Sequence, residues 1–275
     1  MNLKIKYLSR INDEFDTVIC GVNGVIMQGE NVYKESIDAL IKLYQSGKKV
    51  MLASNSGWRV KDLYYVLKKN NVPMNIFYAM ITAGEVAHFY LKNNKDLGRS
   101  YYNLFGKELS VMDGLDYSAA DTPVMADFII AENDYENTEN VDNSAILEQA
   151  LSLGLPFICV GNNTTLLSAN GVISGVGAWA EKYAMMGGKV ISFGKPDVKM
   201  AHYLSEEIAD FDATRCLVIG DNMATDIRMG NNFGAKTLLI ADGVHQFCHD
   251  MEHKLGELSE SYGLQVDYCM EKLQW

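Results

Sequence analysis

The sequence has no CxxC or CxxH pair, and its cysteines number five: Cys20, Cys159, Cys216, Cys248 and Cys269. An odd set without ligand spacing gives neither a disulfide framework nor a zinc knuckle. Cys20, Cys159 and Cys216 lie in or beside apolar runs and read as small buried hydrophobes in a reducing compartment. An excess of basic charge is also missing. The net charge is −11 and the pI about 4.9, which argues against non-specific binding to nucleic acid or to an anionic membrane. No run approaches the ~18 apolar residues of a membrane helix, and Met1-Asn2-Leu3-Lys4-Ile5-Lys6 lacks the apolar centre of a signal peptide. These absences lead us to expect a cytoplasmic protein. Internal repeats and low-complexity tracts are absent too. One further lack proves decisive: residues 21–29, which follow the first apolar strand, contain no nucleophilic side chain.

What is present is a globular composition, 48% hydrophobic and 21% charged over 275 residues, enough for a large core with an inserted module. Val18 to Cys20 form a short apolar run that ends in glycines and read as a buried parallel strand. Residues 33–46 carry Ile37, Leu40, Ile41 and Tyr44 at helical spacing, and Gly47 stops that helix. Residues 49–53 form the next strand. Residues 60–70 form a helix with Leu63, Tyr64 and Leu67 inward, ended by Pro73. Strand and helix alternating at this spacing predict a parallel sheet with helical crossovers. The rhythm changes after about residue 83: strands near 101–105, 128–131 and 155–160 alternate with polar stretches, an acidic, asparagine-rich loop at 132–142 among them. It returns at 190–193, a strand followed by Gly194-Lys195-Pro196-Asp197, with Pro196 suited to the first turn of a helix. Residues 216–219 and 236–240 are further strands. The predicted layout is a core of residues 1–82 and 190–275, interrupted by an α/β insertion at 83–189.

Chemistry in α/β sheets collects at the carboxyl ends of strands. Three such ends carry Ser54 and Asn55, then Lys195, then Asp221 and Asp226. Hydroxyl and amide donors, an ammonium and two carboxylates are the residue types of a phosphate and Mg²⁺ site. Carboxylates suit a hard, hydrated cation, and lysine screens phosphate charge. Phosphoryl transfer needs mainly such positioning and electrostatics once a nucleophile is supplied.

In these runs the chain resembles the haloacid dehalogenase (HAD) superfamily of phosphatases. Residues 50–56 look like its second motif, Gly194-Lys195-Pro196-Asp197 like its third, and Val218-Ile219-Gly220-Asp221-Asn222-Met223-Ala224-Thr225-Asp226-Ile227 like its fourth. An insertion between the second and third motifs resembles the cap of subclass IIA, the NagD-like group. The resemblance implies a doubly wound, Rossmann-like parallel sheet with an inserted α/β cap, and a Mg²⁺-dependent hydrolase of small phosphate monoesters whose caps commonly pair, so a homodimer is suggested.

The first motif departs from the family pattern Asp-x-Asp-Gly-Val, whose first Asp is the covalent nucleophile and whose second is the general acid/base. This chain has Gly21-Val22-Asn23-Gly24-Val25. Gly21 cannot form an aspartyl-phosphate, and Asn23 cannot give and take a proton as a carboxyl does. Loss of a covalent nucleophile costs on the order of 10⁶ in rate. The expected protein is therefore a degenerate phosphatase that retains a phosphate pocket for a small phosphorylated metabolite. Its weakened Mg²⁺ site would be built on Asp221, Asp226 and the backbone near Asn23. Two rivals stand beside it: a slow hydrolase using direct water attack, and an interaction protein with an empty remnant site.

Other residues are weighed the same way. Arg59, just past the second motif, is either an anion contact or a surface charge. Asn162 and Asn163 follow a strand, as the substrate-facing cap loop of the subclass does, or form a plain polar turn. His245, His249 and His253 would form one helical stripe, which without an HExxH partner reads as a solvated face.

Overall fold

A computed structural model describes residues 3–106, 108–133, 142–168 and 171–275. Most of the acidic 132–142 loop therefore lies outside the described residues. Two parallel sheets organise the chain. The seven-stranded sheet runs in the order Leu3–Lys4, Tyr268–Met270, Lys236–Ile240, Cys216–Gly220, Thr17–Cys20, Lys49–Ser54, Phe77–Thr82. All its pairings are parallel. The chain leaves Thr17–Cys20 toward one edge and later returns on the other side of it. That strand therefore sits at the switch point, where a crevice opens beyond the carboxyl ends.

Side chains alternate across this sheet with the period of a strand. Val18, Cys20, Val50 and Leu52 meet Leu40, Leu43, Leu63 and Leu67 on one face. Ile19, Met51 and Ala53 meet Met200, Ala201 and Leu204 on the other. The helices Lys34–Gln45 and Val60–Lys69 thus cover the first face and Lys199–Glu206 the second. Tyr64, expected to point inward, is 40% exposed, and Tyr44, at helical spacing with Ile37 and Leu40, is 44% exposed. Val66 takes the inward place in the second helix instead. Phenol rings at the edge of an apolar stripe leave their polar tips in water.

The second sheet has five parallel strands in the order Val190–Phe193, Phe157–Val160, Phe128–Glu132, Ser100–Asn103, Ser118–Ala119. This revises one expectation. Val190–Phe193, read as the first strand of the returning core, pairs instead with Phe157–Val160. The following helix begins at Lys199, so Pro196 lies in the connecting loop and not in the first helical turn. A separate two-stranded hairpin, Thr165–Ser168 with Gly171–Ser174, projects from this second layer.

The two sheets are joined where Phe77–Thr82 passes directly into the helix Ala83–Asn93. Thr82 caps that helix, its hydroxyl accepting from the Glu85 N–H at 3.0 Å. Gly84 lies so close to the Gly57 carbonyl that a Cβ would stand 1.9 Å from its oxygen. Gly84→Ala should therefore destabilise by about 1–3 kcal/mol through overpacking. Gly256→Ala, in the exposed helix Met251–Tyr262 with nothing near its Cβ position, should stabilise by about 0.4–1 kcal/mol. Urea unfolding of the two variants checks the opposite signs.

Candidate active site

The crevice at the switch point gathers residues from both sheets. Gly21 follows Thr17–Cys20, and its N–H donates to the Ile219 carbonyl at 2.7 Å. Asp221 and Asp226 follow Cys216–Gly220, while Ser54 and Asn55 stand at the end of Lys49–Ser54. Lys195 arrives from the other sheet, not from the same sheet edge as expected. All five polar side chains are buried.

The Lys195 ammonium donates to Asp226 Oδ1 at 2.7 Å and to the Ala53 carbonyl at 2.8 Å. Its backbone is clamped by Asn55, which accepts from the Lys195 N–H at 2.6 Å and donates to the Lys195 carbonyl at 2.9 Å. Asn55 also donates to Asn163 Oδ1 at 2.8 Å. Asn162 donates to the Gly194 carbonyl at 3.3 Å. Asn162 and Asn163 thus hold the Lys195 loop. Asn133, missed in the sequence, belongs to this set: it donates to the Asn55 carbonyl at 3.2 Å and accepts from the Val176 N–H at 3.0 Å. Its signal was its place at the carboxyl end of Phe128–Glu132, hidden by the polar loop behind it.

Asp221 accepts from the Val244 N–H at 2.9 Å. Burial, reinforced by the neighbouring Asp226 carboxylate, pushes the Asp221 carboxyl up to about 7. Gly24 lies against it with φ +76°, and a Cβ there would stand 2.1 Å from Asp221 Oδ2, so only glycine fits. Position 21 is different. A Cβ on Gly21 would meet Asp226 Oδ1 at 3.1 Å, the Ile219 carbonyl at 3.3 Å and Val25 Cγ2 at 3.3 Å. A Cβ there requires these neighbours, one of them a backbone carbonyl, to give by a few tenths of an ångström.

Three expectations change. Arg59 does not face the crevice: its guanidinium donates twice to Glu85, at 2.8 and 2.7 Å, and this pairing holds the Glu85 carboxyl below its usual range. Asn23 lines the crevice, but its amide donates to the Leu167 carbonyl at 3.2 Å and accepts from the Gly29 N–H at 3.3 Å. His245 is not on the tail helix, which starts at Met251. It is largely buried, accepts from the Met223 N–H at 3.1 Å, and burial lowers it to about 4, so it is neutral near pH 7.

Asp221 and Asp226 fit a hard divalent cation by chemistry, since Mg²⁺ is commonly held by one or two carboxylates with water and phosphate completing its shell. Among the described residues no group of three or more His, Cys, Asp or Glu side chains is placed to share a metal. The space enclosed by Asn23, Ser54, Lys195, Asp221 and Asp226 is about 20 Å³. A larger cavity of about 290 Å³ adjoins it, lined by Asn23, Ser54, Trp58, Phe105 and Asn133 among others.

With this geometry established, comparison with known proteins is direct. A haloacid dehalogenase-like hydrolase model matches residues 18–117, and a HAD-hydrolase-like model matches residues 192–260, together more than half of the chain. The chain belongs to the HAD-like hydrolase family. It is 25% identical to glycerol-3-phosphate phosphatase of Gallus gallus over 94% of this chain and 89% of that protein. A haloacid dehalogenase-like hydrolase from Brucella suis 1330 superposes with a TM-score of 0.82 at 25% identity, covering 98% of this chain and 99% of that one. NagD from E. coli K-12 shares the fold, with a TM-score of 0.63 at 19% identity, covering 94% and 96%. The HAD-like protein described here thus has the class IIA architecture, with glycine and asparagine in place of the two first-motif aspartates.

The Asp221 carboxyl gives a pH prediction. Its folded value, about 7, lies above its ordinary value of 3.8. Its contribution to stability is fully present below about pH 4 and is lost as pH rises toward 7. Asp221→Asn, which keeps an acceptor for Val244, should therefore gain stability over the parent between pH 5 and 7 and hold that advantage above. Thermal unfolding of both proteins across pH 5–8 in chelator measures the gap; a constant gap would contradict the assignment.

Proposed function

We propose that this protein binds a small phosphate monoester in the crevice without hydrolysing it at enzymatic rates. The observation that carries the proposal is Gly21, a buried residue with no side chain at the end of the central strand, where the family's attacking carboxylate stands. Lys195 would screen the phosphate charge. Ser54, whose hydroxyl accepts from the Ser56 N–H at 3.1 Å, keeps its proton to donate to a phosphate oxygen. Asn55, Asn133 and Asn163 act by holding the Lys195 loop. Asp221 and Asp226 are the residues that would hold Mg²⁺, whose part is to neutralise phosphate charge; with one carboxylate fewer than the family pattern, the site should be weak and dependent on ligand. The larger cavity beside Trp58 and Phe105 offers room for the organic portion of the monoester.

Two features support the loss of covalent chemistry together. The two described carboxylates nearest position 21 are already engaged, Asp226 by Lys195 and Asp221 by Val244. Asn23 is committed to Leu167 and has no carboxyl to shuttle a proton. Relatives named glycerol-3-phosphate phosphatase and phosphoglycolate phosphatase support the ligand class.

The test compares the unmodified chain with Gly21→Asp/Asn23→Asp against a panel of phosphomonoesters with Mg²⁺. The double variant should gain at least about 10³-fold in kcat, a fraction of the on-the-order-of-10⁶ loss a missing nucleophile brings. Equal rates in both proteins, at ordinary enzymatic values, would contradict the proposal.

A further inference from the structure

The space between Lys195, Ser54 and the two aspartates, about 20 Å³, holds about one water molecule and no tetrahedral phosphate. Its cover is the hairpin Thr165–Ser168/Gly171–Ser174, whose Leu166 and Leu167 line the space and are 2% and 8% exposed. Among the described residues this hairpin pairs with no strand of either sheet. Two side-chain amides of the first-motif region hold its first strand. Asn23 Nδ2 donates to the Leu167 carbonyl at 3.2 Å, and Gln28 Nε2 to the Ser168 carbonyl at 2.5 Å.

Both amides are oriented by a second bond. The Gly29 N–H donates to Asn23 Oδ1 at 3.3 Å, which turns Nδ2 toward Leu167. The Tyr33 hydroxyl donates to Gln28 Oε1 at 3.2 Å, which turns Nε2 toward Ser168. Position 23 is the telling one. An aspartate there would still accept from Gly29, but its other oxygen would face the Leu167 carbonyl, acceptor against acceptor. The amide makes a bond that the family's acid/base carboxylate cannot make.

We infer that Asn23 and Gln28 form a latch that holds the hairpin closed over the phosphate subsite, so that a phosphate-bearing ligand enters only when the latch releases. Position 23 has passed from proton transfer to holding the cover. Asn23 is here a positioning residue, acting on access and not on a reacting bond. The inference rests on the proposed phosphate site for the identity of what enters, but the latch itself is testable without ligand.

The test is hydrogen–deuterium exchange of the full chain, read in peptides spanning residues 21–30 and 163–176. Asn23→Asp and Gln28→Ala should each accelerate exchange in both peptides about tenfold, the scale of one lost amide–carbonyl bond, and the two together more. Gln28 lies on the two-residue strand Met27–Gln28, so its truncation reads the latch even if Asn23→Asp disturbs folding. Stopped-flow mixing with inorganic phosphate should show association to Gln28→Ala about tenfold faster than to the parent. Faster exchange without phosphate binding in any variant would remove the phosphate reading and keep the latch. Exchange in Asn23→Asp/Gln28→Ala within twofold of the parent would overturn the latch.

Discussion

The bond between the Lys195 ammonium and the Asp226 carboxylate ties the two layers of this molecule together. Lys195 comes from the loop after Val190–Phe193, a strand of the five-stranded sheet, and Asp226 from beyond Cys216–Gly220 in the seven-stranded one. Their side chains are 6% and 4% exposed. Both ions are out of water, so the pair persists only because each has further partners: Ala53 for the ammonium, and the Asn222 N–H and Thr225 hydroxyl for the carboxylate. Removing one partner of such a pair leaves an uncompensated charge, which is far costlier than the pair's net contribution is favourable. The pair therefore fixes how the second layer sits over the crevice, and with it the place of the hairpin.

That constraint also explains what position 21 does to the site. Lys195 and the two aspartates are buried together, and Asp221 is raised by burial first and by the Asp226 carboxylate second, with Lys195 offsetting only part of this. A cation beside Asp221 and Asp226 would relieve the remainder, and a phosphate would in turn meet that cation and Lys195. The chain thus buries an ammonium and two carboxylates together at the crevice, with glycine at position 21. Its backbone still takes part, since the Gly21 N–H bonds the Ile219 carbonyl and links the two central strands.

Much of this was legible in the sequence because it is local. Apolar runs ending in Ser54, in Gly194-Lys195 and in Gly220-Asp221 mark strand ends, and the switch-point rule places the first and third near one another, while the second reaches them from the other sheet. What was not legible depends on pairing between distant segments. Val190–Phe193 reads as a parallel strand in either sheet, since its pattern is the same on both, and only its partner Phe157–Val160 decides. Arg59 looked available for an anion because Glu85 lies 26 residues further on. His245 looked like part of a helical stripe because spacing does not show that the helix begins six residues later. Asn23 was legible as an amide where the family pattern has a carboxyl, but its bond to Leu167 spans 144 residues and required the hairpin to be seen.

The central claim is that the crevice holds a phosphate monoester and leaves it intact. Phosphorus NMR with protein in excess over a monoester such as glycerol 3-phosphate, in Mg²⁺, follows binding and cleavage in one sample. The account predicts a shifted or broadened ester resonance that persists for hours with at most trace inorganic phosphate. Conversion of the bound ester within seconds, as expected of enzymes turning over at about 1–10³ s⁻¹, would contradict it.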